Sequence, residues 1–112
     1  MTGNDYALVM TTIDDESKAQ TLADALVEAR LAACIQIVGP IRSTYPWKGK
    51  VEHATEWLLL IKSRKALYRS LEAFIREHHA YEVPELVQLD ITAGLPEYLS
   101  WISQNTHLPR DN

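Results

Sequence analysis

The sequence has only one cysteine, Cys34, among its 112 residues, so no disulfide framework can form within the chain. Its four glycines are scattered, which excludes the glycine-rich loops that cradle phosphates. No run of lysine or arginine is available to neutralise a phosphate backbone, and we expect no nucleic-acid partner. The longest apolar stretch, WLLLI at 57–61, is too short to span a bilayer. The first residues lack the basic start of a signal peptide, so we expect a cytoplasmic protein without a membrane partner.

What the chain does contain indicates a globular protein. Hydrophobic residues make up 46% of it and the formal net charge is −4. A chain of this length buries roughly two-thirds of its unfolded surface, which is enough for a hydrophobic core. We expect a single domain over residues 1–112, with a core at about 6–103 and a polar, frayed tail at 104–112.

Apolar residues form short strand-like runs and helix-like stripes in turn, which predicts the order β-α-β-β-α-β followed by a short helix. Two aspartates precede the first helix as candidate caps, and Lys48-Gly49 joins the second and third strands as a hairpin turn. This order is the ferredoxin-like split βαβ plan of an α+β protein, whose right-handed crossovers place both long helices on one face of the sheet. The predicted strands are 6–10, 33–38 continued by 41–47, 51–63 and 86–91; the predicted helices are 17–29, 65–78 and a short one whose first turn contains Pro96.

The strands are apolar on both faces. Five successive apolar residues at 57–61 must point alternately up and down, and residues 7–10 and 32–35 show the same pattern. Two helices can cover only one face, and the third helix is long enough to cover no more than a corner. An uncovered apolar face of this size favours a homo-oligomer, although the pattern does not choose between a dimer and a trimer.

Four segments resemble the CutA family of divalent-cation-tolerance proteins: LAAC at 31–34, IRSTYPWKGKVEHATEWLLLIKS at 41–63, HHAYEVPEL at 78–86 and YLSWI at 98–102. The resemblance runs from about Tyr6 to Ser103. It implies a ferredoxin-like homotrimer similar to the PII signalling proteins. It also implies a non-enzymatic protein that confers tolerance of copper and other divalent metals, with no organic cofactor.

His78 and His79 are the metal ligands that the resemblance implies. Some family members add a cysteine at the end of the first strand, where this chain has Thr11, and a hydroxyl is a poor ligand for a soft metal. Adjacent residues on a helix point about 100° apart, so the pair could share a metal only where the helix unwinds, with Glu82, Glu85 or another subunit completing the site. The residues themselves favour packing, because His78 continues an apolar stripe and suits a helix C-terminus.

Two other functions compete with metal tolerance. A PII-like sensor would bind a small anion or metabolite in clefts between subunits, near the basic residues Arg42, Lys62, Arg64 and Lys65. An acid–base enzyme using a histidine and Glu85 ranks last, because the sequence shows no nucleophile beside a base. Glu52 and Glu56 lie on the same side of a predicted strand and could hold a cation, but a charged rim outside the apolar part of the strand is the commoner explanation. Cys34 is expected to be a buried hydrophobe.

Overall fold

The computed structural model describes residues 5–108, and the described chain has the predicted order of elements. An α+β fold with a four-stranded sheet is confirmed, and each predicted helix and strand is present. Its elements are β1 (Tyr6–Ile13), α1 (Glu16–Glu28), β2 (Cys34–Trp47), β3 (Lys50–Arg64), α2 (Tyr68–His78, after a 3-10 turn at Lys65–Leu67), β4 (Leu86–Asp90) and α3 (Pro96–Gln104).

The sheet has the strand order β2-β3-β1-β4, and every neighbouring pair is antiparallel. β1 lies in the centre, where it pairs with β3 from Tyr6 to Ile13 and with β4 from Ala7 to Thr11. β2 and β3 are much longer than their neighbours. Within residues 5–108, positions 50–56 of β3 pair with β2 alone, so this part of the hairpin extends beyond the four-stranded body as a two-stranded arm.

Both long helices pack on one face of the sheet, as the right-handed crossovers predict. The buried stripes of α1 and α2 meet the side chains of β1 and β3 that point towards the helices, and together they form the main core. α1 begins where Asp15 adopts an extended conformation and its Oδ1 accepts the Lys18 N–H at 2.9 Å. The helix and strand residues of this core are Ala19, Leu22, Ala23, Leu26, Leu71, Ile75, Val9, Ile13, Leu59 and Ile61.

The opposite face of the sheet is also apolar, and only one end of it is covered. There α3 packs Leu99 and Ile102 against Tyr6 and Ala33. The hydrophobic side chains of the remainder are half-buried or exposed, with Val87 and Leu89 at 45% and 46% exposure. Cross-strand pairs share a face of a sheet, so the register defines an open face consisting of Leu8, Met10, Val38, Leu58, Leu60, Val87 and Leu89. The prediction of a sheet with two apolar faces is confirmed.

The segment that follows α3 is anchored to the body, at least as far as His107. Thr106 is 5% exposed, and its hydroxyl accepts the Arg64 Nε–H at 2.9 Å. The His107 N–H donates to the Arg30 carbonyl at 2.9 Å, and the Arg30 guanidinium donates to the Gln104 carbonyl at 2.7 Å. The expected fraying after Gln104 therefore does not hold for residues 105–107. Residues 109–112 lie outside the described part of the chain.

Candidate functional site

The two histidines lie at the joint between α2 and β4, which we define as residues 78–86. The joint is not a loose loop, because three side-chain hydrogen bonds hold it to the sheet. Each has a donor–acceptor distance of 2.7 Å, and the pairs are His79 with the Thr12 carbonyl, Thr11 with the Glu85 carbonyl, and Tyr81 with the Glu56 carboxylate.

His78 is the last residue of α2, and its ring is exposed. Its Nδ1 lies 2.8 Å from the Phe74 carbonyl oxygen, and because a carbonyl only accepts, Nδ1 donates. The imidazole stacks on the Phe74 ring, with 4.1 Å between centroids and 13° between planes. In the neutral ring this leaves a lone pair on Nε2. The apolar stripe thus continues to His78 through a stacking contact, while one nitrogen remains able to bind a ligand.

His79 is buried, with 9% of its surface exposed, and both of its ring nitrogens are engaged. Nε2 donates to the Thr12 carbonyl at 2.7 Å. Nδ1 accepts the Tyr81 backbone N–H at 3.1 Å, and the two aromatic rings lie 4.8 Å apart. Neither nitrogen of the neutral ring therefore has a free lone pair in this arrangement.

Thr11, at the position where some family members have cysteine, is fully buried on the helix side of β1. Its hydroxyl donates to the Glu85 carbonyl and so fixes the end of the joint as it enters β4. Thr11 and His79 therefore both serve as attachments of the joint to β1 in this structure. Neither side chain offers a free metal-ligating atom to accompany the Nε2 of His78.

Both histidines line a cleft of about 380 Å³ between α1 and the end of α2. Its walls include Lys18, Thr21 and Glu77. Within residues 5–108, no three side chains of histidine, cysteine, aspartate or glutamate converge on a point where a metal could sit. The metal site at His78 and His79 stays a prediction.

The acidic candidates are separated by the fold. Glu82 is exposed, and Glu85 contacts Thr11 through its main-chain carbonyl. Glu52 is exposed on the hairpin arm, whereas Glu56 is 7% exposed and accepts the Tyr81 hydroxyl. Burial, and then the hydrogen bond to Glu56, raise the pKa of the Tyr81 phenol well above its usual value. This pair was not predicted from the sequence.

The basic residues that suggested an anion site do not form one cluster. Lys62 donates to the Gln36 side chain, Arg64 to Thr106, and Lys65 lies 3.1 Å from the Asp90 carboxylate. Arg42 is exposed on the arm, at a position that pairs with Thr55. Three of the four cations are thus engaged within the protomer.

Cys34 differs from its expected role as a buried hydrophobe. It lies at the start of β2 and is only partly buried. Its Sγ accepts the Gln36 side-chain amide at 2.9 Å. Since Cys34 pairs with Lys62, and residues that alternate along a strand share a face, the thiol faces the same side of the sheet as the open face. It is a polar contact at the margin of that face.

Comparison with known proteins decides the family. The family model described as CutA1 divalent ion tolerance protein matches residues 7–105. The chain belongs to the CutA1 family. It is 43% identical over 99 residues to the divalent-cation tolerance protein CutA of Thermus thermophilus, covering 88% of this chain and 96% of that protein. It is 43% identical over 95 residues to mouse protein CutA, covering 85% of this chain and 54% of the mouse protein.

Solved structures show the same fold. CutA1 from Oryza sativa superposes with a TM-score of 0.91 at 36% identity, covering 92% of this chain and 94% of that one. The Thermus thermophilus protein gives a TM-score of 0.88 at 42% identity, covering 91% and 99%. The chain spans about half the length of the mouse and Arabidopsis relatives, the second of which is named as chloroplastic. No helix among residues 5–108 is long and apolar enough to cross a membrane.

Proposed function

We propose that this protein is a non-enzymatic divalent-cation tolerance protein of the cytoplasm that binds divalent metal, copper included. Membership of the CutA1 family supports the tolerance role, because the matched relatives carry that name. Imidazole nitrogen is a suitable ligand for copper and zinc, so the joint that carries His78 and His79 is the proposed point of contact.

One observation carries the proposal of direct binding, and it concerns the ring of His78. Its Nδ1–H donates to the Phe74 carbonyl and leaves Nε2 with its lone pair at an exposed position. Metal-binding histidines commonly donate their other ring N–H to a carbonyl in this way, which fixes the tautomer and the orientation of the ring. Stacking on Phe74 restricts the ring further. His78 is thus held as a ligand would be.

We propose further that the protein acts as a homotrimer whose sheets pack on one another. The open face supports association, because leaving each large aliphatic side chain in water forfeits roughly 1.5–3 kcal/mol. Its residues include Val87 and Leu89, nearly half exposed in a single protomer. The resemblance to PII-like proteins supports threefold symmetry, and a closed assembly lets a neighbour cover the open face of every copy.

Isothermal titration calorimetry tests direct binding. Copper and zinc are titrated separately into the wild-type chain and into a variant with both His78→Ala and His79→Ala. We expect saturable heat in the wild type that is lost in the variant. Equal heats in the two proteins would show that the metal binds elsewhere, and no heat in either would remove direct binding from the proposed function.

A further inference from the structure

We propose that His79 is a positioning residue that latches the joint to β1, and that metal contacts the joint only through Nε2 of His78. The metal half of this inference rests on the proposed function. The latch half rests on the hydrogen bonds of His79 alone. The inference departs from the His-His pair that the family resemblance implies, because the two imidazoles have different hydrogen-bond partners.

The partners of His79 fix its tautomer completely. The Thr12 carbonyl can only accept, so Nε2 carries the proton. The Tyr81 backbone N–H can only donate, so Nδ1 provides the lone pair. A metal needs that same lone pair. Binding through Nδ1 would therefore displace the Tyr81 amide and leave a backbone donor without its partner at a half-buried position.

The neighbouring contacts oppose any swing of His79 away from β1. On one side the Tyr81 hydroxyl donates to the buried Glu56 carboxylate, and on the other the Thr11 hydroxyl donates to the Glu85 carbonyl. His79 itself is 9% exposed, and its acceptor Thr12 adjoins Thr11 in β1. Rotating its ring towards a metal shared with His78 breaks the bond to the Thr12 carbonyl, so a shared metal would form at the expense of this attachment.

His78 has the opposite arrangement. Its bonded nitrogen is the donor Nδ1, and its free nitrogen is the one with the lone pair. The ring is exposed, so a hydrated cation can reach Nε2 without disturbing any hydrogen bond described for the joint. Water, or donors from another copy, can complete the coordination of a cation bound in this way.

Long-range ¹H–¹⁵N correlation of the imidazole rings in the full chain tests both halves, with Zn²⁺ as the diamagnetic probe. In the metal-free protein we expect the Nε2–H tautomer for His79 and the Nδ1–H tautomer for His78. Zinc should shift the Nε2 resonance of His78 and leave both nitrogens of His79 in place. A shift of the His79 Nδ1 resonance, or an Nδ1–H tautomer for His79, would overturn the proposal.

Matched variants separate ligation from positioning. His79→Gln lacks the imidazole but retains an amide donor for the Thr12 carbonyl, and we expect zinc affinity within about twofold of wild type. His79→Ala should lower the Tm, with partial recovery in His79→Gln. His78→Gln should lose zinc affinity at least about tenfold and lower the Tm less than His79→Ala does, because His78 is exposed, whereas His53→Gln, on the arm, should change neither.

The outcomes distinguish the inference from the proposed function. Loss of zinc affinity in His79→Gln equal to that in His78→Gln would overturn the latch, while direct metal binding would stand. If zinc shifts the nitrogen resonances of neither ring, both contact through His78 and direct binding at the joint are overturned. In that case the metal-free tautomer of His79 still decides whether it latches the joint.

Discussion

Replacing Leu89 by lysine should prevent association without unfolding the protomer. Leu89 lies on the open face opposite Leu8, and 46% of it is exposed, so the single chain accommodates a longer polar side chain there. Association of the wild type recovers only the exposed half of the leucine, roughly 1 kcal/mol per copy. Burying a lysine ammonium without a partner costs several kcal/mol per copy. A closed trimer repeats the change at every interface, so the assembly loses on the order of 10 kcal/mol.

Size-exclusion chromatography with light scattering at low micromolar concentration measures this effect. The wild type should have three times the 12.7 kDa mass of one chain, and Leu89→Lys should have the mass of one chain with its circular dichroism retained. Ala73→Lys is the matched control, because it adds the same charge at an exposed position of α2. A wild type of 12.7 kDa, or a Leu89→Lys assembly as stable as the control, would refute the reasoning.

Three further substitutions test contacts inside the protomer. Tyr81→Phe removes the 2.7 Å bond to the Glu56 carboxylate and should cost about 1–3 kcal/mol in urea unfolding. The phenol pKa is higher in the folded state, so the tyrosine's contribution to stability is complete below its unfolded pKa near 10 and is lost as the pH rises through the folded pKa. In Tyr81→Phe the free energy of unfolding should therefore fall less steeply with pH above about 10. Gly39→Ala should lower thermal stability by about 1–3 kcal/mol or more, since its Cβ would lie 2.7 Å from the Cγ of Trp57; a Tm equal to wild type would contradict this packing. Thr106→Val removes the hydroxyl that accepts from Arg64 and should cost about 1 kcal/mol in the same assay; a free energy of unfolding equal to wild type would contradict the anchoring of residues 105–107.

The two apolar faces of the sheet were predictable because the side-chain period of a strand is set by local backbone geometry. In the run 57–61, Leu59 and Ile61 lie under the helices, while Leu58 and Leu60 lie on the open face. The order of the elements was predictable for the same reason. These features depend on residue type and spacing, both of which are visible in one sequence.

The role of His79 was not predictable, because its partners are a backbone carbonyl at Thr12 and a backbone amide at Tyr81. Every non-proline residue has these groups, so the sequence carries no sign of which one a histidine will meet. Glu56 is a similar case. Its spacing from Glu52 is typical of a charged rim, yet the phenol of Tyr81 reaches it from another element and buries it.

The anchoring of the segment after α3 was not predictable, because its polar composition resembles that of a solvated tail. Thr106 is a polar residue, but its hydroxyl makes two hydrogen bonds: it accepts from Arg64 and donates to the Ile102 carbonyl. A polar side chain with both roles fulfilled can be buried at little cost. Composition alone does not reveal such pairing.

The hairpin arm has a consequence for how self-association could be followed. Residues 42–47 and 50–55 form a ribbon of two strands with no third strand beside it in the described part of the chain, and such a ribbon is only marginally stable in water. Its amide hydrogens should exchange rapidly with deuterium in a solitary copy, since the ribbon opens without disturbing the rest of the sheet. A neighbouring copy lying along the arm would slow that exchange, so the exchange rate of the arm amides reports whether the protein has self-associated.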